Sequence, residues 1–232
     1  MVPLAIVAFG ISTGALTDDP QNNLVELHVQ INPGESIHER REALTYRFGI
    51  LYEAFLPQNY QNLQGGATYN TLYGTQNPVP LISASLGLQW NTRIGSFYLD
   101  FVDGVGSISG AGSSSLRLGK FGGVLGFSMD HLFSDPWVVP MIGVQAVYFN
   151  WNQVDTTTNI GGMTAETVGL IGGLSIPLTR FDPDTAQAGM RDFGIRNTYL
   201  DLYTTQYMTS NSTTDPELQT NFNLAAGLHF EF

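Results

Sequence analysis

The chain contains no cysteine, which excludes disulfides, thiolate metal sites and cysteine nucleophiles. It also contains a single lysine, Lys120, and its formal net charge at pH 7 is −11. Because binding to nucleic-acid phosphates requires clustered Lys and Arg, these numbers argue against a nucleic-acid partner. No apolar run reaches the ~18–20 residues that a membrane-spanning helix requires, so a helical membrane protein is excluded.

Charged residues are scarce as well. They make up 12% of the 232 residues, which is about half of the usual share in globular proteins. A soluble domain needs charge over its whole surface, whereas a barrel whose wall faces lipid needs charge only in its lumen, turns and loops. The 26 glycines, 14 phenylalanines and 10 tyrosines fit the second class.

Residues 221–232 alternate without a break between apolar and mostly polar positions. Successive side chains of a strand point to opposite faces, so this pattern predicts a strand with one apolar and one polar face. The apolar face consists of Phe222, Leu224, Ala226, Leu228, Phe230 and Phe232.

This stretch resembles the C-terminal strand signal of bacterial outer-membrane β-barrels, by which the barrel-assembly machinery recognises its clients. The residues that carry the resemblance are Phe222, Leu228, Phe230 and Phe232. The resemblance is to the class and to no particular family within it. It implies a chain integral to the outer membrane of a Gram-negative-type bacterium, surrounded by outer-membrane lipid, with both termini in the periplasm.

The two-residue period recurs along the chain and predicts ten strands. We therefore predict an all-β fold in which residues 1–232 form one transmembrane, antiparallel, up-and-down β-barrel domain. An even strand number is expected when both termini lie in the periplasm. The predicted strands are residues 1–16, 24–31, 43–55, 81–90, 96–103, 116–131, 137–151, 163–178, 193–208 and 218–232.

The first two strands have an alternative interpretation. Residues 1–16 are apolar like the core of a signal peptide but lack the basic segment that should precede one, so we interpret them as a strand of a mature chain. The alternative is an eight-stranded barrel in which residues 1–31 form an extension or plug.

Connection lengths predict the sidedness of the barrel. The connections at residues 16–23, 56–80, 104–115, 152–162 and 209–217 are expected to be extracellular, and the short ones at 91–95 and 132–136 periplasmic. Tryptophan favours membrane interfaces. We therefore expect Trp90 and Trp137 at the periplasmic interface and Trp151 at the extracellular one.

Charged and histidine side chains on the inward faces of the predicted strands would lie in the lumen. Charges in a narrow barrel are costly unless they are paired, so we expect a network of salt bridges and hydrogen bonds that fills the interior. The alternative is a pathway for ions or small solutes. The predicted lumen residues are Glu26, His28, Arg47, Glu53, Asp100, Lys120, Asp130, Arg196, His229 and Glu231.

Two classes of enzyme share this architecture and provide a comparison. Omptin proteases are ten-stranded barrels that use aspartate pairs with a histidine at the outer rim, and outer-membrane phospholipases use a His and Ser pair near the outer lipid face. None of the four histidines of this chain is predicted at such a place. We predict no catalytic residues, no metal site and no cofactor.

Residues 56–80 form the longest predicted loop and contain no charged residue. Tyr60, Tyr69 and Tyr73 lie there among Asn and Gln, a composition that binding surfaces favour, although an ordinary variable loop is equally compatible. The predicted extracellular loops contain no Lys or Arg, which argues against a site that clamps lipopolysaccharide. We expect a structural or interaction role, in which polar loops contact another envelope or surface protein or the barrel joins an envelope assembly. The alternative is a narrow pore with a charged lumen.

Overall fold

The computed structural model describes most of the chain from Arg41 to Phe232. The strands predicted at residues 1–16 and 24–31, and with them Glu26 and His28, lie outside the described residues. The described residues are 41–61, 66–74, 77–110, 114–133, 135–155, 159–210, 212 and 215–232.

Nine strands in this part of the chain form one antiparallel sheet. Eight of them run the length of a barrel wall, and the ninth, β6, is short. Their bounds are β1 (Leu44–Phe55), β2 (Val79–Thr92), β3 (Gly95–Ser109), β4 (Ser115–Ser128), β5 (Val139–Val154), β6 (Asn159–Met163), β7 (Thr167–Pro177), β8 (Asn197–Tyr207) and β9 (Asn223–Glu231).

The sheet closes into a ring because β1 pairs with β9 as well as with β2. In the closing ladder Arg47 lies opposite Glu231, and Glu53 lies opposite Ala225. Eight wall strands complete the ring, so the prediction of ten wall strands is wrong and the alternative count of eight agrees with the structure. A two-residue period identifies a strand, but it does not say which strands a ring includes.

Strand β6 continues β7 past a β-bulge. Asn150 of β5 lies opposite Met163, and Val147 lies opposite Thr167, so two residues of β5 oppose three residues of the bulged strand. The bulge is held by two hydrogen bonds. The Thr164 N–H donates to the Phe149 carbonyl at 2.8 Å, and the Phe149 N–H donates to Thr164 Oγ1 at 3.0 Å.

The strands are apolar outside and polar inside. Along β1 the inward side chains of Thr45, Arg47 and Glu53 are buried, while Tyr46 and Ile50 on the outward face are exposed. This arrangement is the reverse of a soluble barrel, and it is the pattern of a barrel wall that faces lipid.

Strand β3 is longer than the sequence predicts. Residues 104–109 read as the start of a glycine and serine loop, yet they continue the strand to Ser109. A Cβ at Gly104 would lie 2.1 Å from Ser83 Oγ, so glycine is required there by the close approach of β2. Gly104 is therefore explained by close packing between strands of the wall and does not indicate a loop.

The connections differ at the two ends of the barrel. At the end that carries Arg41 and Phe232, called here the terminal end, β2 turns directly into β3, and a 3₁₀ helix at Asp130–Leu132 joins β4 to β5. The opposite end, called the loop end, carries the connection from β1 to β2 with its short helix α1 (Tyr69–Tyr73). No helix in the described residues is long and apolar enough to cross a membrane.

A second helix, α2 (Pro183–Phe193), lies in the connection between β7 and β8 at the terminal end. Asp182 caps its N-terminus by accepting a hydrogen bond from the Thr185 N–H at 3.0 Å. Gly194 ends it in the left-handed conformation, with φ of 72°, and donates its N–H to the Met190 carbonyl. This helix lies between the predicted strands at residues 163–178 and 193–208, where no helix was predicted.

Close packing between the neighbouring strands β3 and β4 makes one inward glycine a test of the fold. A Cβ at Gly126 would lie 2.1 Å from Tyr98 Cζ, whereas a Cβ at the outward Gly172 would have no neighbour within 4 Å. We expect Gly126→Val to lower the free energy of unfolding by about 1–3 kcal/mol, because the Tyr98 ring must move. The measurement is the urea midpoint of the heat-sensitive gel shift in detergent. Gly172→Val is the matched control, and equal destabilisation by both variants would contradict the packing described here.

Candidate functional site

The barrel interior brings together most of the predicted lumen residues, in three clusters along the axis. The cluster at the terminal end is centred on Arg41, which precedes β1. Its guanidinium donates to both carboxylate oxygens of Glu231, at 2.9 and 2.6 Å, and also to Asp130. Both pairs are buried. The same carboxylates accept further hydrogen bonds from Ser96, Gln89 and Asn197.

Asp130 lies on the 3₁₀ helix between β4 and β5, outside the wall strands. Burial alone would raise the pKa of its carboxyl group, but the charge of Arg41 and the hydrogen bonds from Ser96, His131 and Arg41 outweigh this effect and hold the pKa below its usual value. The interaction therefore stabilises the fold when Asp130 is ionised.

The middle cluster is less completely paired. Arg47 lies 3.8 Å from an oxygen of Asp100, and its guanidinium stacks over the Tyr98 ring at 4.1 Å. His229 Nδ1 is 2.7 Å from Asp201. A cavity of about 50 Å³ remains beside these groups, and Arg47 Nε and Asp100 Oδ1 have no hydrogen-bond partner there. A polar cavity of this size holds a few water molecules.

Ser175, Asp201 and His229 are the residue types of a catalytic triad, but they are hydrogen-bonded in a different sequence. Ser175 Oγ donates to Asp201 at 2.6 Å, and the imidazole of His229 contacts the other oxygen of the same carboxylate. A nucleophile–base pair requires the imidazole between the hydroxyl and the carboxylate. The carboxylate here lies between the other two groups, so the arrangement is a hydrogen-bonded crosslink of β7, β8 and β9.

The third cluster lies toward the loop end and is centred on Glu53. Lys120 Nζ donates to Glu53 at 2.8 Å, and the hydroxyl of Tyr207 donates to it at 3.0 Å. Thr205 and Asn223 also donate to this carboxylate. One buried cation thus compensates one buried anion, and neutral donors occupy the remaining lone pairs.

Aromatic rings close the lumen above this cluster. Phe55, Phe149 and Tyr207 pack against one another with ring centroids 5.3–5.5 Å apart. Leu81, Leu116 and Leu118 join the same buried core. The loop end of the interior is therefore apolar, a feature that the sequence analysis did not predict.

The three tyrosines of the long loop belong to this apolar core. Tyr60, Tyr69 and Tyr73 are 1%, 1% and 4% exposed. Tyr60 donates its hydroxyl to Gln153, and Tyr69 donates its hydroxyl to the Asn77 carbonyl at 2.7 Å. Burial raises the pKa of Tyr73 to about 12, helped by the charge of Asp155. The expectation that these rings contact a partner is corrected, because they anchor the loop to the barrel.

Two further predicted positions are corrected. Trp151 is 6% exposed and packs in the interior core, because it lies on the inward face of β5, whereas Trp90 and Trp137 are 42% and 61% exposed on the outer surface. Arg196 lies at the terminal-end rim, where it pairs with Glu42, and not in the lumen.

The remaining predicted residues are found as follows. The structure places seven of the lumen set in the interior, namely Arg47, Glu53, Asp100, Lys120, Asp130, His229 and Glu231. Phe222, Leu228, Phe230 and Phe232 share the outward side of β9 and its flanks. Arg41 and Asp201 are charged interior residues that the predicted lumen set does not contain. Arg41 precedes the alternating segment of β1, and Asp201 lies on β8.

No group of three or more His, Cys, Asp or Glu side chains within residues 41–232, as far as the structure describes them, is arranged to hold a metal ion. The interior acids are paired with Arg or Lys or with neutral donors.

Comparisons with known proteins give only similarities of shape. No protein-family model and no curated protein matches the chain. Among solved structures, Neisserial surface protein A is 10% identical with a TM-score of 0.47, over 82% of this chain and 98% of that one. The N-terminal β-barrel domain of Pseudomonas aeruginosa OprF is 9% identical with a TM-score of 0.44, over 81% and 97% of the two chains. These TM-scores do not establish a relationship to either protein. The assignment to membrane β-barrels therefore rests on the barrel wall, which is apolar outside and polar inside.

The Arg41 cluster predicts a pH-dependent contribution to stability. We expect Asp130→Asn to lower the free energy of unfolding by about 3 kcal/mol at pH 7, because it removes one partner of a buried ion pair. Since the pKa of Asp130 is lowered in the folded state, the difference from wild type should be complete above about pH 4 and disappear as the pH falls further.

The measurement is urea unfolding in detergent at a series of pH values. Asp192→Asn is the matched control, because Asp192 forms an exposed ion pair with Arg191 on α2, which should contribute at most about 1 kcal/mol. A loss for Asp130→Asn that is the same at pH 3 and pH 7 would contradict the assignment.

Proposed function

We propose that this chain is an integral outer-membrane β-barrel with a sealed interior, whose role is structural or interactive. The observation that carries the proposal is the filled lumen, which contains buried ion pairs and a buried aromatic core. A barrel of this kind is anchored in the membrane by its wall and presents its loops at the membrane surface. It transports nothing through its centre.

The outer wall supports the membrane location. Its exposed side chains are large and apolar on strand after strand, and in water such a continuous surface would cause aggregation. Lipid removes this cost, and a closed ring leaves no unpaired strand edge in the hydrocarbon. Examples from five neighbouring strands are Ile50, Leu86, Phe101, Leu125 and Ile142.

The two rims support an orientation with the terminal end in the periplasm. The direct turn from β2 to β3 is at that end, while the long connection from β1 to β2 is at the other, as expected for outer-membrane barrels. Trp137 lies at the terminal-end rim, where Arg180 stacks on its ring at 4.3 Å. An aromatic ring beside a cation suits the interface between hydrocarbon and headgroups.

The loop end offers the surface for a partner. The buried tyrosines anchor the described parts of the connection from β1 to β2 to the barrel, and Gln58, Asn59, Asn70 and Thr71 are exposed there. A surface that is already ordered loses little conformational entropy on binding. We propose that this uncharged polar surface contacts another envelope or surface protein. During biogenesis the barrel-assembly machinery would recognise the outward side of β9, which includes Leu228 and is preceded by Phe222.

A narrow pore is the alternative function. Ions would have to pass the Arg41, Arg47 and Lys120 clusters and then the aromatic core, and each cluster would have to lose buried partners. Removing a partner from a buried pair costs about 3–5 kcal/mol, so spontaneous opening is rare.

The sealed lumen leads to a prediction about the ion conductance of the protein. We expect the purified, folded protein to give no discrete conductance steps in a planar bilayer, because the interior has no continuous water path. Insertion is verified by the heat-sensitive gel shift, and an open porin in the same bilayers provides the positive control. Reproducible steps whose ion selectivity changes in Arg47→Gln would favour the pore and overturn the proposal.

The anchored loop predicts resistance to proteolysis. We expect chymotrypsin not to cleave after Tyr60, Tyr69 or Tyr73 in the folded barrel, because these rings are buried. Tyr69→Ala should make the connection cleavable, since it removes ring contacts with both Tyr60 and Tyr73. Tyr46→Ala, which changes an exposed ring on the wall, is the control. Rapid cleavage of the wild-type loop would show that no ordered surface exists.

A further inference from the structure

A groove that combines polar and apolar side chains lies on the outer wall near the loop end. It has a volume of about 710 Å³ and crosses strands β2 to β5. We call it the Arg117 groove. Its lining includes Ile82, Val105, Ser107, Arg117, Gly119 and Asn152.

Strand register brings three polar side chains together in this groove. Arg117 of β4 lies directly opposite Ser107 of β3 on one side and Asn152 of β5 on the other. Directly opposed side chains on one face of antiparallel strands have Cβ atoms about 4.5–5.5 Å apart. A guanidinium, a hydroxyl and an amide therefore form one row across the wall.

The side chain of Arg117 has no ion-pair or hydrogen-bond partner among the residues that the structure describes, and it is exposed. The interior Arg41, by contrast, is surrounded by carboxylates. An arginine on the lipid face costs about 2–4 kcal/mol at the bilayer midplane and about 0–1 kcal/mol near the interface, which places Arg117 at the level of the lipid headgroups.

Gly119 forms the floor of the groove on the side of the terminal end. It lies between Val105 and Asn150 in adjacent strands, and without a side chain it leaves a channel along the wall. Ile82 and Val105 make that side of the groove apolar. The groove thus has a cationic head and an apolar tail, in the direction that leads from headgroups into hydrocarbon.

We propose that the Arg117 groove binds the phosphorylated headgroup of a lipid in the leaflet at the loop end. The phosphate contacts the guanidinium of Arg117, with Ser107 and Asn152 as neutral donors, and an acyl chain lies over Gly119. Arginine forms bidentate, charge-assisted hydrogen bonds with phosphate, and this geometry favours a phosphate over other lipid groups. The proposal rests on the membrane location proposed above.

This site differs from the expectation drawn from the loops. The absence of Lys and Arg in the predicted extracellular loops argued against binding of lipopolysaccharide. Arg117, however, lies on a wall strand, and the strand register places its side chain on the outer surface beside Ser107 and Asn152. The acidic Asp103 on β3 does not line the groove. It lies four residues from Ser107, about 13 Å along the strand.

The test uses the full chain, folded in detergent micelles, with native mass spectrometry as the readout. The probe is diphosphorylated lipid A, and the comparison ligand is the same lipid without its phosphates. We expect Arg117→Gln to weaken binding of the phosphorylated lipid about tenfold and to leave binding of the dephosphorylated lipid unchanged. Arg93→Gln removes the same charge from the turn at the terminal end and should have no effect.

Three results would overturn the proposal. Equal affinity of wild type and Arg117→Gln would show that the groove does not bind the phosphate, and an equal loss in Arg93→Gln would show unspecific attraction of charge. Full competition by inorganic phosphate at lipid concentrations would indicate a free anion site in place of a lipid site. The gel shift of each variant is measured in parallel, so a chain that fails to form a barrel contradicts the proposed function and not this site alone.

Discussion

The structure depends on one constraint, namely that a narrow ring surrounded by lipid must satisfy its inward charges among themselves. The wall offers water on neither side over most of its height, so an unpaired interior charge has no solvent to compensate it. Arg41 shows how the constraint is met. It comes from outside the strands, enters the terminal end of the lumen and contacts both Glu231 and Asp130. The first strand, the last strand and the connection from β4 to β5 are thereby joined at one guanidinium.

The loop end satisfies the same constraint differently. There Glu53 and Lys120 form one ion pair, and the space above it is filled by Phe55, Phe149 and the tyrosines of the long loop. Filling the lumen with rings avoids further buried charge and fixes the loop at the same time. Filling the interior and anchoring the described part of the long loop therefore depend on the same aromatic contacts, and the proposed surface role rests on them.

The sequence predicted the wall well because alternation is a local property. The bounds of β1 and the C-terminal end of β9 agree with the predicted strands to within one residue, whereas β9 begins five residues later than predicted. It could not predict features set by distant contacts. Residues 24–31 alternate as regularly as β1, but membership of the ring depends on the pairing of β1 with β9, which no local pattern encodes. The inward position of Arg41 is equally non-local, since it depends on a carboxylate 190 residues away.

Errors also arose where residue type was given more weight than position. Trp151 was assigned to an interface because tryptophan favours interfaces, although its position in β5 relative to the outward Tyr148 already places it inside. Tyr60 and its neighbours were assigned to a surface because binding surfaces are rich in tyrosine, whereas here the rings are anchors and the amides are the surface. Arg117 is the opposite case. Its alternation with Leu116 and Leu118, both buried, directs it outward, where no carboxylate of the described residues pairs with it, and this position is the basis for the proposed contact with a lipid phosphate.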